Sequence, residues 1–234
     1  IAIARQEKGQ VIGLHVVPGE KQRESEATQA IQAAFERRCR EAGVAYQWVL
    51  ETGQITPTIH AQGRWTDLVV AHLAHPPGNQ PLDRLSSGFR SLVQRSVTPI
   101  LVVPQATSSF NRALLAYDGS PKAREALFVS TYMVGKWDMS LVILTVMEDE
   151  HTASDAFQQA RAYLEERGVP VDERVTFVEQ SGPVAETILQ TAQDKACDLI
   201  VMGGYGFTPT LQVVLGSAVD AVLRGSRQPV LICR

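Results

Sequence analysis

The sequence predicts an α/β protein built from two tandem copies of one domain, each with a mostly parallel five-stranded sheet and helices on both faces. Two observations predict this fold. Apolar runs of strand length alternate with helical segments along the chain, which is the pattern of parallel strands joined by crossover helices. The segments of the first half also recur in the second half in the same order.

The internal repeat rests on four pairs of similar segments, separated by about 130 residues. The pairs are Val11–Val17 with Val142–Met147, Thr52–Ile59 with Ser181–Ile188, Asp67–Ala74 with Asp198–Tyr205, and Thr98–Pro104 with Gln228–Arg234. Four matches in one order make chance a poor explanation. Polar, turn-rich residues follow Pro104. We therefore predict a first domain over residues 1–105 and a second over residues 111–234.

The second copy carries a full set of alternating elements. Short apolar runs predict its strands, Ser120 and Pro121 are typical of a helix start, and Gly168 is typical of a helix end. The predicted strands are Arg112–Tyr117, Leu141–Met147, Val171–Phe177, Leu199–Met202 and Val230–Cys233, and the predicted helices are 122–134, 153–167, 183–195 and 217–224. This order predicts a Rossmann-like sheet.

The first copy begins inside its first helix, because Ile1 aligns near Thr131. The counterparts of residues 112–130, which hold a strand, a turn and most of a helix, are absent. Since a domain without a central strand exposes sheet edge, we expect these residues to exist in the natural protein. A mixed charged and apolar pattern over Lys21–Gly43 predicts one helix that covers the sheet.

Composition and charge exclude several classes of partner. The chain has 234 residues and a formal net charge of −3, so a broad attraction to nucleic acid or anionic membranes is not expected. No apolar run approaches the roughly 20 residues that span a bilayer. The three cysteines form no CxxC pair, which argues against a disulfide framework or zinc site and favours the cytoplasm.

The strongest functional signal is a glycine pattern after the fourth strand of the second copy. Gly203 and Gly206 follow the strand, and Gly216 and Ser217 come nine residues later, at the start of a predicted helix. Glycines let the backbone approach a ligand closely. A helix start offers unpaired N–H groups and the positive end of the helix dipole, which together favour phosphate. The pattern therefore indicates a nucleotide site.

Together with the segments DLIVMG, ALLAYDGSPKAREAL, SGPVAETI and PVLICR, the pattern G-x2-G-x9-G-S resembles the universal stress protein family. The likeness extends over the whole chain as a tandem pair, and its spacing is complete in the second copy. It implies the adenine nucleotide alpha hydrolase-like fold. It also implies ATP as ligand, with Mg²⁺ as a further candidate, and a role in stress response or signalling through nucleotide occupancy.

The resemblance also implies which residues hold the nucleotide. Asp118 would lie at the adenine or ribose end, Val146 would line the adenine pocket, and Gly203 would approach the ribose and first phosphate. Asp118 is also a residue type typical of a turn, and Ser217 of a plain helix cap, which uses the same free N–H groups as phosphate binding. The implied binding residues are Ala116, Tyr117, Asp118, Val146, Met202, Gly203, Tyr205, Gly206, Gly216, Ser217, Ala218 and Val219.

The sequence departs from the family pattern between Gly206 and Gly216. The segment FTPTLQVVL contains no Lys or Arg, although many relatives place a basic residue there. Neutralisation of the phosphates would then fall to backbone N–H groups, a metal ion or Lys122. We expect ATP to bind with weak discrimination of its terminal phosphate.

The first copy departs further from the pattern. His72 and His75 stand where the second copy has Gly203 and Gly206. The Gly-Ser position holds Ser86 and Ser87, or Leu85 and Ser86 when the segments are aligned without a gap. We therefore predict that the first copy does not bind ATP in the family's way and serves as a structural partner. The spacing of the two histidines permits chelation, but Asp83 and His60 are weak candidates for a third ligand. We assign no metal site.

Other functions stay open. No general base is evident near the glycines and no GxxxxGK[ST] motif occurs, so we assign no catalytic residue, but a slow ATPase or a nucleotidyl-transfer enzyme is an alternative. A dinucleotide oxidoreductase would need its glycines after the first strand. An interaction scaffold with a relic site is a further alternative. From the family we expect strands Ile100–Val103 and Val230–Cys233 to pair across a pseudo-twofold axis within one chain, which would then imitate a dimer. Whether the chain also forms a homodimer stays open.

Overall fold

A computed structural model of the chain describes residues 1–72, 88–104, 108–147, 150–205 and 218–234. It confirms the predicted α/β fold with mostly parallel strands. By its internal contacts the chain divides into two compact units, residues 1–62 and residues 63–234. Within the described residues, no helix combines the length and apolarity that a membrane crossing requires.

The first unit consists of one parallel strand pair and the helices around it. Its elements are α1 (Ala2–Gln6), β1 (Gln10–Val17), α2 (Glu20–Arg23), α3 (Glu26–Glu41), β2 (Ala45–Thr52) and α4 (Ile55–Gly63), whose last residue falls at the unit boundary. The predicted single helix 21–43 is wrong, because Ser25 begins a new helix. Its hydroxyl accepts a hydrogen bond from the Thr28 N–H at 3.3 Å.

The second unit is built on a seven-stranded sheet. Its elements are β3 (Val69–His72), α5 (Gly88–Arg95), β4 (Ile100–Val103), β5 (Arg112–Ala116), α6 (Pro121–Trp137), β6 (Ser140–Met147), α7 (Glu150–Glu166), α8 (Val171–Arg174), β7 (Val175–Ser181), α9 (Val184–Asp194), β8 (Leu199–Gly203), α10 (Ala218–Gly225) and β9 (Val230–Cys233). The strand order is β3-β4-β9-β8-β5-β6-β7. Every neighbouring pair is parallel except β4 with β9.

The two copies found in the sequence, here called the first repeat (residues 1–105) and the second repeat (residues 111–234), differ at their central strand. In the second repeat, β5 lies between the pairs β6-β7 and β8-β9. The described strands of the first repeat form only the two corresponding pairs, β1-β2 and β3-β4, and hold no counterpart of β5. This agrees with the sequence alignment. The predicted boundary between residues 105 and 111 falls inside the second unit, and the two-domain division stays a prediction.

One predicted strand begins later than expected. Residues 171–177 alternate in polarity, yet Val171–Arg174 form the single helical turn α8 and the strand starts at Val175. The turn is closed by a hydrogen bond from the Arg174 N–H to the Pro170 carbonyl at 3.0 Å. The Val171 side chain is buried. Alternation over four residues is therefore compatible with a helical turn that anchors one apolar side chain.

The start of β5 is fixed by one carboxylate. Asp198, just before β8, accepts hydrogen bonds from the N–H groups of Asn111 and Arg112, both at 3.0 Å, and from the Ser109 hydroxyl at 2.9 Å. Partial burial acts to raise the pKa of Asp198, but these hydrogen bonds outweigh burial and the net shift is downward. The carboxylate thus ties the amino ends of two central strands together.

The pairing of β4 with β9 confirms the expected contact between the closing strands. The two strands run antiparallel, with Leu101 opposite Leu231 and Ile100 opposite Ile232. Leu101 and Leu231 also occupy equivalent positions in the two repeats, as the aligned segments Thr98–Pro104 and Gln228–Arg234 show. The pair therefore lies on a pseudo-twofold axis, and each apolar closing strand covers the edge of the other.

We predict that Leu231→Asp disrupts this pairing. Leu231 is 4% exposed, so a carboxylate there loses apolar burial and is itself desolvated, at a cost of more than about 3 kcal/mol. Chemical denaturation measures the loss. The matched control is Val70→Asp, because Val70 is a strand residue that is 59% exposed. Equal stability of the Leu231 variant and the wild type would contradict the structure.

We also predict that Asp198→Asn lowers the free energy of unfolding at neutral pH by about 1–3 kcal/mol. Because the folded-state pKa of Asp198 is lowered, its stabilisation is complete above the ordinary value of 3.8 and is lost as pH falls through the lowered pKa. The variant should therefore lose less stability than the wild type on acidification. Denaturant titrations across acid pH measure this, with the exposed Asp155→Asn as control.

Candidate functional site

The candidate site lies at the carboxyl edge of the second repeat's sheet. Three strands of this repeat end there side by side, since Ala116 at the end of β5 is opposite both Leu144 in β6 and Met202 in β8. The chain runs from β5 outward to β7 on one side and then returns to β8 on the other. In open parallel sheets, ligands bind at such a reversal of strand order.

Asp118 occupies the turn between β5 and α6. Its side chain is exposed, and one carboxylate oxygen accepts a hydrogen bond from the Ser120 N–H at 2.9 Å. The Ser120 hydroxyl in turn accepts from the Ala123 N–H at 3.2 Å and caps α6, which starts at Pro121. The predicted helix start is confirmed. Gly119 has a φ of +74°, a left-handed conformation that favours glycine.

Tyr117 joins β5 to β6 through its backbone. Its N–H donates to the Leu144 carbonyl at 2.9 Å, and its carbonyl accepts from the Thr145 hydroxyl at 2.7 Å. The Tyr117 side chain is 3% exposed, and burial raises its pKa. Thr145 was not among the predicted binding residues, and its signal in the sequence is a hydroxyl inside an apolar strand. Its hydrogen bond fixes the backbone directly before Val146.

Gly203 and Gly204 are required by close packing. A Cβ on Gly203 would lie 2.9 Å from the Lys122 carbonyl carbon in the first turn of α6. A Cβ on Gly204 would lie 3.0 Å from the Cys233 carbonyl oxygen, which also accepts the Gly204 N–H at 2.6 Å. These two glycines therefore bring the end of β8 against both α6 and β9, and the backbone at Gly203 lies beside the Asp118 turn.

A buried polar cluster flanks the glycine segment. The Tyr205 hydroxyl donates to an Asp220 carboxylate oxygen at 2.5 Å, and the other carboxylate oxygen lies 3.7 Å from an Arg90 guanidinium nitrogen. The guanidinium also stacks over the Tyr205 ring, 4.7 Å from its centre. Burial is the main cause that raises the pKa of Tyr205 well above its usual range, and the hydrogen bond to Asp220 raises it further. Arg90 and Asp220 were not predicted from the sequence.

The predicted binding residues fall into three groups by exposure. Asp118 is exposed, whereas Ala116, Val146, Gly203 and Ala218 are half-buried. A third group is buried, so its members could face a ligand through their backbone: Tyr117, Met202, Tyr205 and Val219. Ala218 and Val219 open helix α10. Gly206, Gly216 and Ser217 lie outside the described residues, and their role stays a prediction.

In the first repeat, His72 ends β3 opposite Val103 and is exposed. His75, Asp83, Leu85, Ser86 and Ser87 lie outside the described residues. Within the part of the chain that the structure describes, no three His, Cys, Asp or Glu side chains are grouped so as to hold a metal ion.

Comparison with known proteins identifies a family that matches the second repeat. Residues 109–234 match the model of the universal stress protein family. A universal stress protein of Synechocystis is 28% identical over 155 residues, which is 64% of this chain and 52% of that protein. One from Thermus aquaticus is 30% identical over 139 residues, which is 53% of this chain and 99% of that protein. The chain thus spans about half the length of the Synechocystis relative.

Solved structures support the fold over the whole chain. The crystal structure of a universal stress protein from Archaeoglobus fulgidus superposes with a TM-score of 0.81 at 20% identity, covering 100% of this chain and 89% of that one. At this identity the likeness concerns the fold, and it includes both repeats.

We predict that Gly203→Ala destabilises the chain, because its methyl group would collide with the backbone of α6. The expected loss is about 1–3 kcal/mol, seen as a lower melting temperature. The control is Gly135→Ala within α6, where a Cβ would lie farther than 4 Å from every neighbouring atom of the residues that the structure describes. Alanine there should stabilise the helix by up to about 1 kcal/mol. Similar effects of the two substitutions would contradict the packing.

Proposed function

The chain belongs to the universal stress protein family, and we propose that its second repeat binds one molecule of ATP at the carboxyl edge of the sheet. The observation that carries this proposal is the position of Gly203. This glycine of the family pattern lies against the first turn of α6, beside the turn that exposes Asp118. A carboxylate for the nucleoside and a glycine-rich backbone for the phosphates are then adjacent.

Asp118 suits the nucleoside end of this site. It lies two residues after the end of the buried strand β5, and its carboxylate is already oriented by the Ser120 N–H. An exposed, oriented carboxylate can accept hydrogen bonds from ribose hydroxyls or from the adenine amino group. Val146, half-buried at the end of β6, would supply apolar contact to the adenine ring.

Helix α10 suits the phosphate end. Its first residues, Ala218 and Val219, carry backbone N–H groups at the positive end of the helix dipole. Asp220 in the same turn would weaken an anion site if its charge acted alone. It is fully buried and is paired with Arg90 and Tyr205, so its charge is largely balanced.

We further propose that nucleotide occupancy, rather than turnover, is the biological signal in stress response or signalling. No general base is assigned at this edge, and the segment between Gly206 and Gly216 contains no Lys or Arg. Mg²⁺ would assist in neutralising the phosphates.

A cytoplasmic location fits the three buried cysteine thiols. With His72 at the position of Gly203, the first repeat would not hold a second nucleotide.

Isothermal titration tests the proposal. We expect ATP to bind with a stoichiometry of one per chain and, without Mg²⁺, to bind less than about tenfold more tightly than ADP, because little in the site would discriminate the terminal phosphate. Asp118→Asn should weaken binding by about tenfold or more, since it removes a charged acceptor but keeps an oxygen for the Ser120 N–H.

The control is Glu173→Gln, an exposed acidic residue on α8, which should leave binding unchanged. Absence of any heat or thermal shift with millimolar ATP would contradict the proposal and favour an interaction scaffold. Steady conversion of added ATP to ADP would instead favour a slow ATPase.

A further inference from the structure

We propose that the Arg90–Asp220 ion pair makes the pairing surface of each repeat specific for the other repeat, so that the first repeat fits the second and rejects a copy of itself. The proposal concerns the contact between the repeats. It does not depend on nucleotide binding.

Arg90 and Asp220 occupy equivalent positions in the two repeats. Helices α5 and α10 align without a gap up to the closing strands, with Arg90 facing Asp220 in the alignment. The structure supports this register, because the same turn ends both helices. The Ser96 hydroxyl donates to the Thr98 carbonyl at 2.7 Å, and the Ser226 hydroxyl donates to the Gln228 carbonyl at 2.8 Å.

The burial pattern of the two helices repeats in the same register. In α5 the buried residues are Arg90, Leu92 and Val93. In α10 the equivalent residues Asp220, Val222 and Leu223 are buried, together with Val219. Each helix therefore presents one charged and two apolar side chains to the interior at matching positions, and the two charges have opposite signs.

Because the two repeats pair about a pseudo-twofold axis, the opposite charges of Arg90 and Asp220 favour pairing between unlike repeats over pairing between two copies of one repeat. The axis of the pseudo-twofold passes through the Leu101–Leu231 pair, and Arg90 contacts its own counterpart, Asp220, at 3.7 Å. A residue that contacts its own counterpart would meet an identical residue if two copies of one repeat paired in the same way. The second repeat would then bring two Asp220 carboxylates together, and the first repeat two Arg90 guanidinium groups.

Like charges at this position would be strongly disfavoured. The Arg90 side chain is 6% exposed and the Asp220 side chain is 0% exposed, so water cannot screen their charges effectively. Repulsive contacts of this kind select against wrong partners. Tyr205 holds one carboxylate oxygen through its hydroxyl and stacks under the guanidinium, so both charges are fixed in position.

A charge exchange within the full chain tests the proposal. Arg90→Asp and Asp220→Arg each create a like-charged pair and should each lower the melting temperature by on the order of 10 °C. The double variant Arg90→Asp/Asp220→Arg restores opposite charges and should recover at least half of the summed loss, with a single-chain mass by light scattering. The proposal would be overturned if the melting temperature of the double variant fell by as much as the sum of the falls in the two single variants.

Two further sets of variants keep the test decisive. If the like-charged variants do not fold, the neutral cycle of Arg90→Gln, Asp220→Asn and their combination replaces them. The combined variant should then lose clearly less stability than the two single variants lose in sum. Additive losses of stability would overturn the proposal. The control is Arg37→Asp beside Glu41, an exposed pair at 3.8 Å, which should shift the melting temperature very little.

Discussion

The antiparallel contact between β4 and β9 is the interaction on which the second unit depends. Each strand is short, apolar and buried, and each would be an open sheet edge without the other. Their pairing adds β3 and β4 of the first repeat to the five strands of the second and forms one seven-stranded sheet. It also places helix α5 of the first repeat beside the segment that follows β8.

This contact gives the first repeat a role at the candidate site. A Cβ on Gly204 would lie 3.4 Å from a Val93 methyl group in α5, and Arg90 from the same helix holds both Tyr205 and Asp220. Tyr205 lies directly before Gly206, and Asp220 lies shortly after Ser217. The first repeat does not carry the glycine pattern itself, but its helix α5 contacts residues on both sides of the glycine segment of the second repeat.

Much of the fold could be predicted because its signals are local. The apolar run Val230–Cys233 and the Ser120–Pro121 helix start were predicted correctly, and so was the pairing of the closing strands. The break at Ser25 and the turn at Val171 were missed, since one cap or one buried side chain decides them. The Arg90–Asp220 pair could not be found by pattern, because a lone charge on a helix usually indicates a solvated face and its partner lies far along the chain.

Native mass spectrometry of the purified chain tests the central claim most directly, because it measures the number of chains and of bound nucleotides in one particle. If the two repeats pair within one chain and only the second keeps a nucleotide site, the spectrum should show single chains that carry at most one ATP. Particles of two chains, or single chains with two nucleotides, would contradict this account.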